Sequence, residues 1–354
     1  MKAVILAGGY GTRLRPLSCV KPKLLFPVLG KPILKRNLEV LSKIGVNEVI
    51  LAVNYLAKEL KKEMGKKYAG ITIKYSLEKT PLGTGGPVKK AEKLIDEFPF
   101  FIMNGDIIFG DEVSEILKIH EEAHPVATIA LHEVDDPSRF GVVKLNEKMF
   151  IEEFIEKPKQ PPSKLINAGI YLAEKELFNY IKLGKVSLEK EVFPILAFEK
   201  KLLGYKYNGV WFDIGKLNDF FEANFFFLKN NLTIESKVKL SDKAKLNPPV
   251  FIGFASKIYG EIGPYAVINK GCVISENAKV SNSILFQKVK VGKSSVIVNS
   301  IVGDEVFIDE NVEVKDSILG SRVIVNKGVK ILNNVKVCPF KEVEEDIIGP
   351  ATIG

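Results

Sequence analysis

Cysteine is scarce: three in 354 residues, at positions 19, 272 and 338, and no two form a CxxC pair. This excludes a disulfide framework and a cysteine zinc site, and points to a reducing cytoplasm. Histidine is equally rare. His120, His124 and His132 all precede residue 133. His120 and His124 lie four apart, but no HExxH motif or third ligand accompanies them, so they read as a surface helix end. No histidine lies between Thr233 and Gly354, which leaves that stretch without the usual base for acyl transfer. Arginine accounts for five of the 51 basic residues, at 13, 15, 36, 139 and 322. The net charge of +8 is therefore mostly a scattered lysine coat. A stripe of arginine with interleaved aromatics is missing, and nucleic acid is not expected as a partner. No apolar run reaches the roughly 18 residues of a membrane span. The stretch Ala3–Ala7 is too short for a signal peptide and runs into Gly8-Gly9, so no membrane partner is expected.

What is present has the composition of a globular protein, 46% apolar and 27% charged, and a length that favours two domains. The first half alternates strands and helices. Lys2–Leu6, Glu48–Val53, Ile71–Tyr75, Phe100–Met103 and Val126–Leu131 read as strands. Helices are expected around Leu34, Leu38 and Leu41, over Leu56–Met64, over Pro87–Ile95 and over Val113–His120. Such a βαβα order implies a mostly parallel, Rossmann-like α/β sheet, whose ligands bind beyond the carboxyl ends of the strands.

The second half follows another rule. From Ile262 to Val337 an aliphatic residue recurs in steps of six, six and five, a 17-residue period. Asn282-Ser283-Ile284-Leu285, Asn299-Ser300-Ile301-Val302 and Asp316-Ser317-Ile318-Leu319 repeat at that period. Three short faces per coil, each with one inward aliphatic, describe a triangular solenoid. The pattern resembles the hexapeptide-repeat left-handed parallel β-helix. The expected division is a catalytic domain over 1–230, a linker over 231–249 closing on Pro248-Pro249, and a β-helix over 250–354. The β-helix is expected to be structural, oligomerising or regulatory, and the aliphatic Ile347-Ile348 suggests a homo-oligomer contact.

Directly after the first strand comes Gly8-Gly9-Tyr10-Gly11-Thr12-Arg13-Leu14. Glycines let backbone N–H groups wrap phosphate oxygens, and an arginine adds a planar fork. The dinucleotide fingerprint GxGxxG fails at Leu14, and the P-loop pattern is absent. Followed by Lys21-Pro22-Lys23-Leu24-Leu25, the run resembles the signature of the nucleotide-sugar pyrophosphorylases, also called sugar-phosphate nucleotidyltransferases. The resemblance continues through Pro81–Pro87, Asn104-Gly105-Asp106, Phe140–Val143, Glu156-Lys157-Pro158, Asn167-Ala168-Gly169, Glu191–Pro194 and Trp211–Gly215. With the β-helix it spans nearly the whole chain. Its spacing is closest to the mannose-1-phosphate guanylyltransferase subgroup.

That resemblance implies a nucleoside triphosphate and a sugar 1-phosphate as partners, and Mg²⁺ as cofactor. It implies Arg13, Lys23, Asp106 and Asp213 as catalytic, the two aspartates also holding the metal. Mg²⁺ needs only one or two carboxylates when substrate oxygens complete its shell. Lys23 is preferred over Lys21 because Pro22-Lys23 matches the family pair. Nucleotide contacts are implied for Leu6, Gly8, Gly9, Gly11, Thr12, Arg13, Glu78, Gly83 and Thr84. Sugar-phosphate contacts are implied for Asn104, Gly141, Glu156, Lys157 and Asn167. Glu78 stands where pyrimidine-using relatives carry glutamine. A carboxylate is acceptor-only and can take both N1–H and N2–H of guanine, which favours GTP; mannose 1-phosphate is what the subgroup resemblance implies. Two alternatives are a glucose-1-phosphate uridylyl- or thymidylyltransferase and a non-catalytic regulatory subunit. Intact Arg13, Lys23, Asp106 and Asp213 oppose the latter.

Overall fold

In the computed structural model, which describes residues 1–229 and 231–354, the first apolar run is the strand Lys2–Ala7. It is flanked in parallel by Glu48–Val53 and Phe100–Asn104. Ile71–Leu77 extends the parallel set beyond Glu48–Val53. The helices Ile33–Lys43, Ala57–Met64 and Gly85–Ala91 connect these strands. Buried Leu34, Leu38 and Leu41 lie on one face of the first, as their spacing predicts. On the other flank the sheet turns antiparallel. Leu165–Ala173 pairs with Phe100–Asn104 and also with Ala127–Glu133 and Gly141–Leu145. Lys2–Ala7, Glu48–Val53 and Phe100–Asn104 are buried on both faces, which explains their nearly unbroken apolar runs, whereas Ile71–Leu77 alternates buried and more exposed residues.

Packing divides the chain into two units: residues 1–10 with 33–213, and residues 11–32 with 214–354. The expected end of the first domain, residue 230, lies outside the described residues.

In the second unit, parallel strands stack in three sheets that make up the left-handed β-helix. Among the described residues the sheets hold eight, seven and seven strands. Every aliphatic position of the 17-residue pattern from Ile262 to Val337 is buried, at 1% exposure or less. The recurring Asn282, Asn299 and Asp316 adopt positive φ of 45°, 48° and 47°. Asn and Asp tolerate this left-handed corner better than other side chains with a Cβ. The serine that follows each corner is buried. Ser283 Oγ accepts the Ser300 N–H at 3.1 Å, and Ser300 Oγ accepts the Ser317 N–H at 3.1 Å. Residues 231–249, read above as a linker, differ from expectation. They carry three short strands that pair with the first regular coil. Leu232, Ile234 and Leu240 in that coil are 42–45% exposed, so this end coil lacks the enclosed aliphatic positions that mark the period in the coils after it.

Candidate active site

Within the first unit, residues collect at the carboxyl edge of the parallel strands. Leu6 lies level with Ala52 and Asn104 on the two neighbouring strands, and its carbonyl accepts the Gly105 N–H at 3.0 Å. Glu78 follows the strand Ile71–Leu77 and donates its backbone N–H to Val53 at 2.8 Å. The residue is 8% exposed. Oε2 accepts the Leu82 N–H at 3.2 Å. Oε1 lies 3.3 Å from the point where a side chain on Gly8 would begin, so the glycine leaves that oxygen room. Burial pushes the Glu78 carboxyl above its ordinary value, against the opposing Leu82 N–H and Lys90.

Asn54, absent from the sequence reading, borders the same place. Its Cβ lies 3.6 Å from that point on Gly8, and its Nδ2 is buried without a hydrogen-bond partner. A buried unsatisfied donor demands an explanation, and beside a carboxylate that faces open backbone it marks a polar ligand edge. The sequence signal was slight: an amide one residue past the strand Glu48–Val53.

Asp106 and Asp213 come together through a two-stranded ribbon. Ile107–Phe109 pairs antiparallel with Trp211–Asp213, and Asp213 stands opposite Ile107, next to Asp106. Both are partly buried. Among the described residues, no group of three or more His, Cys, Asp or Glu side chains could hold a metal. Two carboxylates at one edge fit Mg²⁺, which takes its remaining ligands from substrate and water. The ribbon is fixed by Trp211, whose indole N–H donates to the Ala168 carbonyl at 2.9 Å and whose ring lies against His132 and Phe140.

The sugar-phosphate candidates adjoin this edge. The register of Leu165–Ala173 against Ala127–Glu133 shifts between Asn167 and Tyr171. There Asn167 Oδ1 accepts the Gly169 N–H at 2.9 Å and Nδ2 donates to the Tyr171 hydroxyl at 2.9 Å. Gly169 has φ of +76°, and a Cβ there would lie 2.6 Å from Asn104 Nδ2. Only glycine allows both the turn and the approach. Gly141 stands opposite Glu156 across an antiparallel pair, and a Cβ there would reach 3.0 Å from Glu156 Oε2. Burial raises the Glu156 carboxyl above its usual range, with Lys157 opposing and Glu189 adding. Lys157 Nζ lies 3.4 Å from Glu156 Oε1.

Gly83 and Thr84 sit elsewhere in character. Gly83 bridges to Val186. The Thr84 hydroxyl donates to Glu189 at 2.6 Å and accepts the Leu188 N–H at 2.8 Å. Its hydroxyl is thus committed within the protein, which leaves the backbone of this loop for any ligand.

Gly9, in the first unit, faces open space. The rest of the glycine-rich signature folds in the second unit. Gly11 takes φ of +60°, and its carbonyl accepts the Ser18 hydroxyl at 2.6 Å and the Leu14 N–H at 2.9 Å. Thr12–Leu14 makes one tight turn with Leu14 buried and Thr12 and Arg13 exposed. Lys23 opens a second turn, Lys23–Leu25, anchored by buried Leu24 and Leu25. Its Cβ is 3.8 Å from the position of a Cβ on Gly11. Gly11, Arg13 and Lys23 are therefore brought together. Arg13 also borders a cleft of about 720 Å³ lined by Lys216, Asn299, Asp316, Asn334 and Lys336. Lys21, the other lysine of the segment, is paired with Asp304 at 2.7 Å.

His120 corrects the sequence reading. It is buried, not on a surface helix end; Nδ1 meets Thr128 Oγ1 at 2.7 Å and Nε2 lies 3.4 Å from Glu174. Burial lowers its pKa, against the opposing Glu174 carboxylate. Its helix, Glu115–Ala123, ends at His124 in a left-handed cap.

Comparison with known proteins converges on one chemistry. Residues 2–230 match the family model for nucleotidyl transferases, and residues 259–353 match the GMPPB C-terminal domain. A probable mannose-1-phosphate guanylyltransferase 3 from Oryza sativa subsp. japonica is 36% identical over the full length of both chains. A mannose-1-phosphate guanyltransferase from Saccharomyces cerevisiae is 39% identical over 70% of each chain. Among solved structures, HddC from Yersinia pseudotuberculosis complexed with GMP-PN is similar with a TM-score of 0.54 and 30% identity. That match covers 64% of this chain and 99% of that one.

Proposed function

The chain belongs to the nucleotidyl transferase family, and from that premise we propose that it transfers a guanylyl group from GTP to mannose 1-phosphate, releasing pyrophosphate. An oxygen of the sugar phosphate forms a bond to the α-phosphorus of GTP. The bond from that phosphorus to the bridging oxygen of the β-phosphate breaks, and GDP-mannose and pyrophosphate result. Nucleotidyl transfer to a sugar phosphate follows from the family; the choice of guanine rests on Glu78.

A buried carboxylate with one oxygen held by the Leu82 N–H and the other facing Gly8 presents acceptors only. Guanine offers N1–H and N2–H to such a group. The Asn54 amide nitrogen, buried without a partner, supplies the complementary donor for guanine O6. Uracil and thymine offer one imide N–H between two carbonyls and match this pair less well. The names of the plant and yeast relatives and the guanine nucleotide of the HddC complex agree with this choice.

The remaining residues neutralise and align two polyanions, which is most of what phosphoryl-type transfer requires. The backbone of Gly9, Gly11 and Thr12 and the Arg13 guanidinium clamp the β- and γ-phosphates that leave. Lys23 neutralises the reacting phosphate. Asp106 and Asp213 would hold Mg²⁺, which would supply charge neutralisation to the reacting phosphates. Lys157 grips the phosphate of the sugar, and Glu156, Asn104 and Asn167 meet its hydroxyls. Gly141 keeps the space beside the Glu156 carboxylate open. The reading extends to a cytoplasmic homo-oligomer. Cys19, Cys272 and Cys338 form no disulfide, and Ile348 at the end of the β-helix is 63% exposed; light scattering on the purified chain tests the assembly.

The deciding experiment measures pyrophosphate release with Mg²⁺ for GTP, UTP, dTTP, ATP and CTP against mannose and glucose 1-phosphates. GTP with mannose 1-phosphate is expected to dominate. Dominance of a pyrimidine nucleotide would keep the reaction class and discard the base assignment.

A further inference from the structure

The β-helix and the signature loop fold as one unit, and an ion pair joins them at a telling place. Lys21 Nζ meets Asp304 Oδ2 at 2.7 Å, with each side chain only 16% exposed. Lys21 also lies 5.5 Å from the centre of the Phe286 ring. Beneath it, Phe26 of the loop, Phe286 of the β-helix and Phe220 of the helix Leu217–Leu228 form an edge-to-face triangle. The ring centres are 5.5, 5.5 and 5.8 Å apart, and all three rings are at most 1% exposed. The return of the loop is tied in the same manner. The Leu29 N–H donates to buried Asn224 at 3.1 Å, and the Gly30 N–H donates to buried Asn269 of the β-helix at 3.0 Å. Asn269 is itself held by the Leu285 carbonyl.

Asp304 belongs to the inter-coil ladder of the solenoid, donating its N–H to Ser321 Oγ at 3.3 Å, but the ladder does not call for a carboxylate at this position. Its equivalents one coil before and after are Gln287 and Ser321. Asp304 Oδ1 accepts the Gln287 N–H at 3.3 Å, which leaves Oδ2 directed to Lys21. The loop that Asp304 grips carries Lys23 two residues on, and Lys23 sits against Gly11 of the turn that presents Arg13. We propose that Asp304 is a positioning residue for the reaction: through Lys21 it fixes the loop that holds Lys23 and Arg13, so that the β-helix contributes to turnover and not only to stability. A partly buried, hydrogen-bonded charge pair over an aromatic face fixes one geometry well. A displacement of about 1 Å in a charge-aligning group costs about 100-fold in rate. The inference rests on the assignment of Lys23 and Arg13 to the triphosphate.

The test compares Asp304→Asn, Lys21→Met, Lys21→Arg, the double variant, Lys23→Ala and the control Glu310→Gln. Glu310 pairs with Lys327 at an exposed position of the β-helix. Steady-state kinetics use whichever nucleoside triphosphate the wild type turns over, at a temperature where each variant is folded by circular dichroism. Asp304→Asn and Lys21→Met are expected to lower kcat/KM for the triphosphate about 10- to 100-fold, while KM for the sugar 1-phosphate stays within about twofold. Lys21→Arg should recover most of the loss, the double variant should be no worse than either single change, and Glu310→Gln should match wild type. Unchanged kinetics in Asp304→Asn, additive losses in the double variant, or equal rises in both KM values would overturn the proposal. Full activity in Lys23→Ala would instead remove Lys23 from the reaction and overturn the assignment on which the inference rests.

Discussion

Replacing Glu78 by glutamine changes one oxygen to an amide, and the structure says which. The Leu82 N–H donates to Oε2 at 3.2 Å, so the carbonyl oxygen that the glutamine retains must stay there to keep that bond satisfied. The new NH₂ group then falls at the position of Oε1, 3.3 Å from the start of any side chain on Gly8. On the proposed reading, that is where guanine presents donors. A donor now faces a donor, and a hydrogen bond to a charged group is lost. Such a bond is worth about 1.5–3 kcal/mol, or about 10- to 150-fold in kcat/KM for GTP. UTP and dTTP offer carbonyl oxygens and should gain relative to GTP. Competition assays with paired nucleotides read the ratio directly. A GTP-to-UTP ratio equal to that of wild type would refute the base-reading argument. The pH behaviour supplies a second check. Burial raises the Glu78 carboxyl above its ordinary 4.5, so as pH falls KM for GTP should rise earlier than an exposed carboxylate would cause. The glutamine variant should lack that limb. The stability linkage has the opposite sense to a salt-bridged acid. A raised carboxyl favours folding fully only below its unfolded value, and that contribution is lost as pH rises through the folded value. Glu78→Gln should therefore melt higher than wild type at neutral pH, with the gap closing in acid.

Asp213→Ala should abolish pyrophosphate release while leaving the circular dichroism spectrum unchanged; retained turnover would take Asp213 out of the metal site. Lys157→Ala is expected to raise KM for the sugar 1-phosphate about tenfold or more, as loss of a charge-assisted phosphate contact does, with KM for GTP little altered. Ile308→Ala, at a fully buried position of the β-helix, should cost about 2–5 kcal/mol in chemical denaturation; a loss below about 1 kcal/mol would mean that the solenoid interior is loosely packed.

Much of this was legible because local rules and the final fold agree. Fourteen aliphatic positions from Ile262 to Val337 kept phase because each faces the same interior, and Asn282, Asn299 and Asp316 marked the corners. The edge position of Asp106 followed from the apolar run before it. What stayed hidden depends on contacts distant in sequence. His120 is buried because Thr128 and Glu174 meet its ring, which helical spacing alone does not reveal. The antiparallel arms Gly141–Leu145 and Ile151–Glu156 interrupt their apolar residues with charges on an exposed face. Asn54 carries no motif; its meaning lies in a nitrogen left without a partner. The coil over residues 231–249 was disguised by lysines that face solvent.

The bond between Lys21 and Asp304 spans 283 residues of chain, and this separation dictates an order of events during synthesis. A loop closed over such a length costs entropy that later contacts must repay. Residues 11–32 leave the ribosome long before Phe220, Asn269, Phe286 and Asp304 are made. The strand Lys2–Ala7 finds Glu48–Val53 and Phe100–Asn104 early, whereas the loop that follows it in the chain must wait for the last side of its socket. The loop therefore cannot make this contact until the solenoid has grown past residue 304.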